Sequence, residues 1–190
     1  MLHILVGTNR EGSRSAEVAE FIKPLYEKQG VETRIMNIKD VGLGDLDHQS
    51  YSDGRPKAIN AAVEELLETD GLVVICPEYN GSMPGALKYF IDHWRYPDSF
   101  EHRPVSFIGL GGRFGGLRPV EHLQQVFGYR NAFIYPDRVF LHNVWGLIKD
   151  ASIEDEVICK LLESQAQGFC RFIKALKSEK LHGGDYKPEN

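Results

Sequence analysis

Short apolar runs alternate along this chain with longer stretches in which apolar residues recur at helical spacing. Leu2 to Val6, Leu72 to Cys76, Val105 to Ile108 and Ala132 to Tyr135 are apolar almost throughout. Runs of that length without alternation predict strands covered on both faces, as in a parallel sheet. Val31 to Ile38 differs, with Val31, Thr33 and Ile35 alternating with Glu32, Arg34 and Met36, the pattern of an edge strand.

Helices are predicted between and after these strands. The first runs from Ser15 to Gln29 and stops at Gly30; Pro24 lies inside it and predicts a kink or early break. Pro56 to Glu68 and Pro84 to Trp94 both open on proline, which a first helical turn tolerates. Leu87, Phe90, Ile91 and Trp94 fall at i, i+3, i+4 and i+7 and mark one face of the latter. Leu117 to Phe127 follows, with Pro119 in its first turn, and Ser152 to Leu176 closes the series, with Ile153, Val157, Leu161 and Leu162 on its apolar side. The alternation therefore reads β-α five times over. Right-handed crossovers turn it into an α/β, doubly wound, five-stranded parallel sheet in order 2-1-3-4-5, the middle layer of a three-layer sandwich. Residues 1–176 are expected to form a single domain, with 177–190 a polar tail lacking regular structure. The long polar loop Lys39 to Arg55 is a lid or a surface excursion.

Composition narrows the function. A chain of 190 residues, 42% hydrophobic and 26% charged, buries a sizeable core without staples. Its net charge of −5 argues against a nucleic-acid binder working through a broad basic face. No apolar stretch reaches the ~18 residues of a membrane span. The apolar start is too short for a signal peptide, so a soluble, cytoplasmic protein is expected. Cys76, Cys159 and Cys170 are widely spaced and form no CxxC, and the sequence sets no carboxylate or histidine at metal-ligand spacing from His93 or His102, so no metal site is expected.

In such a sheet, ligands bind beyond the carboxyl ends of the strands. Three loops there are unusual. Gly7-Thr8-Asn9-Arg10-Glu11-Gly12-Ser13-Arg14-Ser15 brings three hydroxyls and two guanidiniums to a helix N-terminus without a capping box. That set suits a phosphate monoester; the alternative is a polar turn with an ordinary serine cap. Neither GxxxxGK[ST] nor GxGxxG is present in it. Pro77-Glu78-Tyr79-Asn80-Gly81-Ser82-Met83-Pro84 offers stiff ends, a flat ring and exposed amides to the edge of a planar heterocycle, or is a rigid turn. Gly109-Leu110-Gly111-Gly112-Arg113-Phe114-Gly115-Gly116 removes side chains as though something flat lies against the backbone, although flexibility explains it equally.

Gly7-Thr8-Asn9-Arg10 with Ser13, and Pro-Glu-Tyr-Asn-Gly-Ser-x-Pro-Gly-x-Leu-Lys followed by Asp92 and Trp94, resemble the NADPH-dependent FMN reductase family over Leu2 to Leu176. The resemblance implies a flavodoxin-like fold and quinone, azo-dye or chromate reduction. It implies an FMN phosphate site at Thr8, Arg10, Ser13 and Ser15. Contacts to the isoalloxazine edge would fall on Pro77, Glu78, Tyr79, Asn80 and Ser82, largely through backbone amides. The glycine-rich loop under the flavin would be Gly111, Gly112, Gly115 and Gly116. The expected activity takes a hydride from NADPH or NADH onto FMN and passes electrons to a quinone, azo compound, free flavin or similar acceptor by a ping-pong mechanism. The flavin carries the chemistry, so no catalytic side chain is expected. The competing reading is a flavin-binding electron carrier without a small-molecule substrate, disfavoured by the mild negative charge; a non-catalytic regulator that kept the fold is a third. Pairing through the Pro84–Trp94 helix into a homodimer or homotetramer is expected, since aromatic groups extend beyond its core stripe.

Overall fold

The computed structural model describes residues 1–42 and 57–184. Five strand positions lie in the order β2-β1-β3-β4-β5, all parallel, with β1 Leu2–Val6, β2 Thr33–Asn37, β3 Gly71–Pro77, β4 Pro104–Leu110 and β5 Phe133–Ile134. This is the flavodoxin-like order that the alternation predicts. The three central strands are buried on both faces, and their period of two divides them between two cores. Leu2, Ile4, Val6, Val73, Ile75, Ile108 and Leu110 pack under helices α1 (Arg14–Glu27) and α6 (Glu156–Ser178). Leu5, Leu72, Val74, Cys76, Val105 and Phe107 face α2 (Lys57–Leu67), α3 (Gly85–Ile91) and α4 (Leu117–Gly128). Among the described residues no helix is long and apolar enough to cross a membrane.

The fifth position is split. After β5 the chain passes Pro136, which has no N–H to give the ladder, and pairing with β4 resumes at β6 (Val139–Leu141). The buried Gln165 amide of α6 closes the gap, its Nε2 donating to the Phe107 carbonyl at 3.0 Å and to that of Asp137 at 2.8 Å. A short helix α5 (Val144–Leu147) and the antiparallel pair β7 (Ile148–Lys149) and β8 (Ser152–Ile153) then precede α6.

Four local expectations change. Helix α1 runs through Pro24 to Glu27; Glu20 and Pro24 are both exposed, so water can reach the carbonyl that the missing N–H leaves free. Ser152 and Ile153 belong to a strand, and α6 begins after Asp155, whose carboxylate accepts from the Val157 and Ile158 amides. Val157 and Leu161 are exposed, and the buried stripe of α6 runs through Leu162, Ala166, Phe169, Ile173 and Leu176. The helix extends to Ser178, and the polar segment beyond it docks: His182 is buried and the Gly183 amide donates to the His102 carbonyl. Of the loop Lys39 to Arg55, the structure describes only the end of the 3₁₀ turn Ile38–Val41 and Gly42, so its lid role lies outside the described residues.

Candidate functional site

A cleft of about 440 Å³ opens at the carboxyl ends of β1, β3 and β4. Thr8, Arg10, Ser13 and Ser15 line one part of it, and Pro77, Glu78, Tyr79, Gly111 and Gly112 another. Three loops far apart in sequence thus meet at one place, because three neighbouring parallel strands all end there.

The first loop leads into α1. Ser13 caps that helix, its Oγ accepting from the Ala16 amide at 3.3 Å, which leaves the hydroxyl proton free to donate. Among the described residues the amides of Arg14 and Ser15 have no acceptor, as expected for a helix start. Ser15 is 1% exposed, and its hydroxyl has no partner among the described residues. The Arg14 guanidinium is engaged by Glu17, whose two carboxylate oxygens both lie 2.7 Å from Nη1. Arg10 is exposed, and its guanidinium has no carboxylate partner among the described residues. The result is a cluster of unspent donors and positive charge at a helix N-terminus, the chemistry that receives a phosphate or carboxylate.

The second loop is a tight turn. Tyr79 and Ser82 exchange backbone hydrogen bonds at 2.9 and 3.1 Å, with Asn80 and Gly81 at the tip in left-handed conformation, φ 50° and 80°. The amides of Tyr79 and Ser82 are therefore occupied, and Glu78 N–H donates to the Leu110 carbonyl. The amides of Asn80 and Gly81 at the tip, and that of Met83, remain open among the described residues, which narrows the expectation that backbone amides across this loop meet a ligand. Tyr79 Oη lies 3.0 Å from Thr8 Oγ1 and ties the second loop to the first. Helix α4 braces the turn from outside. Arg118 Nη1 donates to Glu78 Oε1 at 2.9 Å while its guanidinium covers the Phe114 ring, and His122 Nδ1 is 2.8 Å from Ser82 Oγ.

The third loop divides in two. Gly111 and Gly112 line the cleft, whereas Asn80, Ser82, Gly115 and Gly116 are not among its lining residues. Gly116 instead starts α4 at φ 80°, and a Cβ there would stand 2.4 Å from the Leu110 nitrogen. Its lack of a side chain lets the loop fold back onto β4. Gly115 faces the His142 ring.

Sequence reasoning did not single out Val144 and Trp145, which complete the cleft wall from the segment after β6. The signal was available: Val139 to Leu141 is an apolar run, and the loop after it leaves the sheet at the same edge. Burial raises the Cys76 thiol well above its ordinary pKa, so this cysteine beneath the cleft is a core residue and no nucleophile. Among the described residues no group of His, Cys, Asp and Glu side chains could hold a metal ion.

Comparison with known proteins gives the family. The family model of NADPH-dependent FMN reductases matches residues 1–146. The quinone reductase of Escherichia coli K12 is 31% identical over 180 residues, covering 91% of this chain and 95% of that one. The FMN-dependent NADPH-azoreductase of Staphylococcus saprophyticus is 24% identical over 143 residues, 74% of this chain and 76% of its own. FerB, a flavoenzyme NAD(P)H:(acceptor) oxidoreductase from Paracoccus denitrificans, shares the fold with a TM-score of 0.74 at 23% identity, over 92% and 97% of the two chains. This chain belongs to the NADPH-dependent FMN reductase family and is an FMN-dependent NAD(P)H oxidoreductase.

Proposed function

We propose that the cleft of this FMN reductase family member is the FMN site, and that NAD(P)H and the electron acceptor use it in turn, in a ping-pong cycle. The Ser15 hydroxyl carries the reading. It is buried, has no partner among the described residues, and lines the cleft at the start of α1. A buried hydroxyl without a hydrogen bond costs stability, so a site that retains one is built for a ligand that supplies the bond. The residues fit FMN. Thr8, Arg10, Ser13 and Ser15 would hold the phosphate, joined by the free amides at the helix start. Pro77, Glu78 and Tyr79, with the tip amides of Asn80 and Gly81, would border the ring, Gly111 would let it lie close to the backbone, and Gly112 would leave room for the Trp145 indole beside it. Ser82, Gly115 and Gly116 would act one step removed, by holding the loops in shape.

When bound, FMN takes up two electrons from NAD(P)H and returns them to an acceptor. The protein's part is to anchor and orient. Arg118 holds the Glu78 carboxylate at the cleft wall, and the Thr8–Tyr79 hydrogen bond keeps the phosphate and ring ends in register. No side chain need act as acid or base in the first half-reaction. The acceptor is a quinone, an azo compound, free flavin or a similar small molecule, reduced in the cytoplasm. One domain, residues 1–176, would carry the whole site.

The same proposal includes a homodimer or homotetramer formed through the face of α3 and α4. Leu87, Phe90, Ile91 and Trp94 are spent on the monomer core, whereas Tyr89, Tyr96 and Tyr129 stay exposed beside them. Light scattering during size exclusion tests this part, and an active, flavin-loaded monomer overturns it.

Arg10→Ala tests the site itself. It should weaken FMN by about tenfold or more, the loss of one charge-assisted contact, and leave riboflavin unaffected. Equal weakening of both flavins would remove Arg10 from the phosphate site. Steady-state rates at varied NADPH and quinone should give parallel double-reciprocal lines, and intersecting lines would rule out the ping-pong cycle.

A further inference from the structure

Trp145 is 67% exposed, although an indole is among the costlier side chains to leave in water. Among the described residues no ring or cation stacks on it, unlike Tyr96, which carries the Arg130 guanidinium. Yet its backbone is firmly held. The Asn143 amide donates to the Gly112 carbonyl at 2.9 Å and the Val144 amide to that of Gly111 at 3.3 Å, so the start of α5 is zipped onto the glycine loop. Val144 is buried in the core beneath. Farther along, the Ala151 amide reaches Glu17 of α1 at 3.4 Å and ties the β7–β8 hairpin to the phosphate end of the cleft. The indole lies over Gly112, where a Cβ would stand 2.8 Å from Cζ3. The fold thus holds an unpartnered aromatic face at the rim of a cleft and leaves out the one side chain that would push it away.

We infer that Trp145 is an aromatic wall of this cleft that packs against the flat ring system of the flavin, an inference that rests on the FMN reading above. The ligand it selects for is planar and aromatic, irrespective of a phosphate. Its contribution is therefore separable from that of Arg10.

Fluorescence titration of the flavin-free protein with FMN and with riboflavin tests this. Trp145→Ala should weaken both flavins by the same factor, about three- to tenfold, the range of an aromatic contact. Trp145→Phe should recover most of the loss. Gly112→Ala should displace the indole and reproduce the Trp145→Ala effect, and the double variant should be no worse than either single one. Melting of the flavin-free Trp145→Ala protein should match wild type, since the side chain is exposed. Unchanged affinity for both flavins would overturn the inference, as would a loss confined to FMN or fully additive effects of the two substitutions. Failure of the wild-type protein to bind either flavin would instead overturn the FMN reading itself.

Discussion

Replacing Ser15 by alanine should move stability and binding in opposite directions. Ser15 is the second residue of α1, 1% exposed, with an Oγ that meets no donor or acceptor among the described residues. An unsatisfied buried hydroxyl costs about 1–3 kcal/mol, and alanine is the better helix former by about 0.5 kcal/mol. Removing the hydroxyl leaves a void smaller than a methylene group, which returns part of that gain. The flavin-free variant should therefore be more stable by about 1 kcal/mol, seen as a melting temperature about 2–4 °C higher for a chain of this size. FMN should suffer the reverse. A hydrogen bond to a charged group contributes about 1.5–3 kcal/mol, so its loss should raise the FMN dissociation constant by roughly 10- to 150-fold. Riboflavin, which lacks the phosphate, should bind both proteins alike. Calorimetry or thermal melting of the flavin-free protein gives the first quantity, and flavin fluorescence titration the other two. A Ser15→Ala protein that melts lower than wild type would mean the hydroxyl has a partner in the folded chain. Unchanged FMN affinity would mean that the hydroxyl does not meet the phosphate. Either result removes the observation on which the site assignment chiefly stands.

Two further perturbations probe the scaffold. Gly116→Ala places a Cβ 2.4 Å from the Leu110 nitrogen at a φ of 80°, with only backbone to yield, and should cost about 3 kcal/mol or more in urea unfolding; a variant as stable as wild type would show that the loop can leave β4. His182 donates from Nε2 to the Asp70 carbonyl and accepts the Gly184 amide at Nδ1, an assignment that fits only the neutral ring. Burial, with Lys177 and Arg103 nearby, lowers its pKa below the ordinary 6.5 despite the Asp70 carbonyl. A base with a lowered folded pKa contributes its full stability above 6.5 and loses it as pH falls through the folded value. Asp70, which burial pushes up but Lys177 and the N-terminal ammonium pull down more strongly, extends the acid loss below 3.8. His182→Gln should accordingly flatten the fall in melting temperature as pH drops below about 6.5. An unchanged slope would exclude His182 as its source.

Sheet order and the location of the cleft follow from local chemistry that a sequence displays. Uninterrupted runs such as Leu72 to Cys76 must be buried on both faces, and helical stripes between them force parallel crossovers. Once that topology is given, the loops after β1, β3 and β4 must converge, and the donors at Thr8, Arg10, Ser13 and Ser15 can be read as an anion site. The break in the fifth strand was less legible. Pro136 signals it, but the compensation comes from Gln165, twenty-nine positions away on α6, whose helical spacing alone marks it only as a core position. The same holds for Val157 and Leu161, apolar at helical spacing yet exposed, because α6 turns the stripe of Leu162, Ala166 and Phe169 onto the core and leaves them outside it.

Which donors are already in use is decided by tertiary structure alone. The amides of Glu78, Tyr79 and Ser82 look as open in the sequence as those of Asn80 and Gly81, but the turn and the Leu110 carbonyl occupy them. Gly111, Gly112, Gly115 and Gly116 look equivalent in one glycine-rich run, yet the first pair lines the cleft and the second shapes the loop. Trp145 becomes a wall because two backbone hydrogen bonds set it over Gly112, a contact between segments some thirty residues apart. Residue type and spacing determine what a segment can offer. Hydrogen bonds are satisfied by whatever lies nearest in space, so the groups left over for a ligand exist only once the chain has folded.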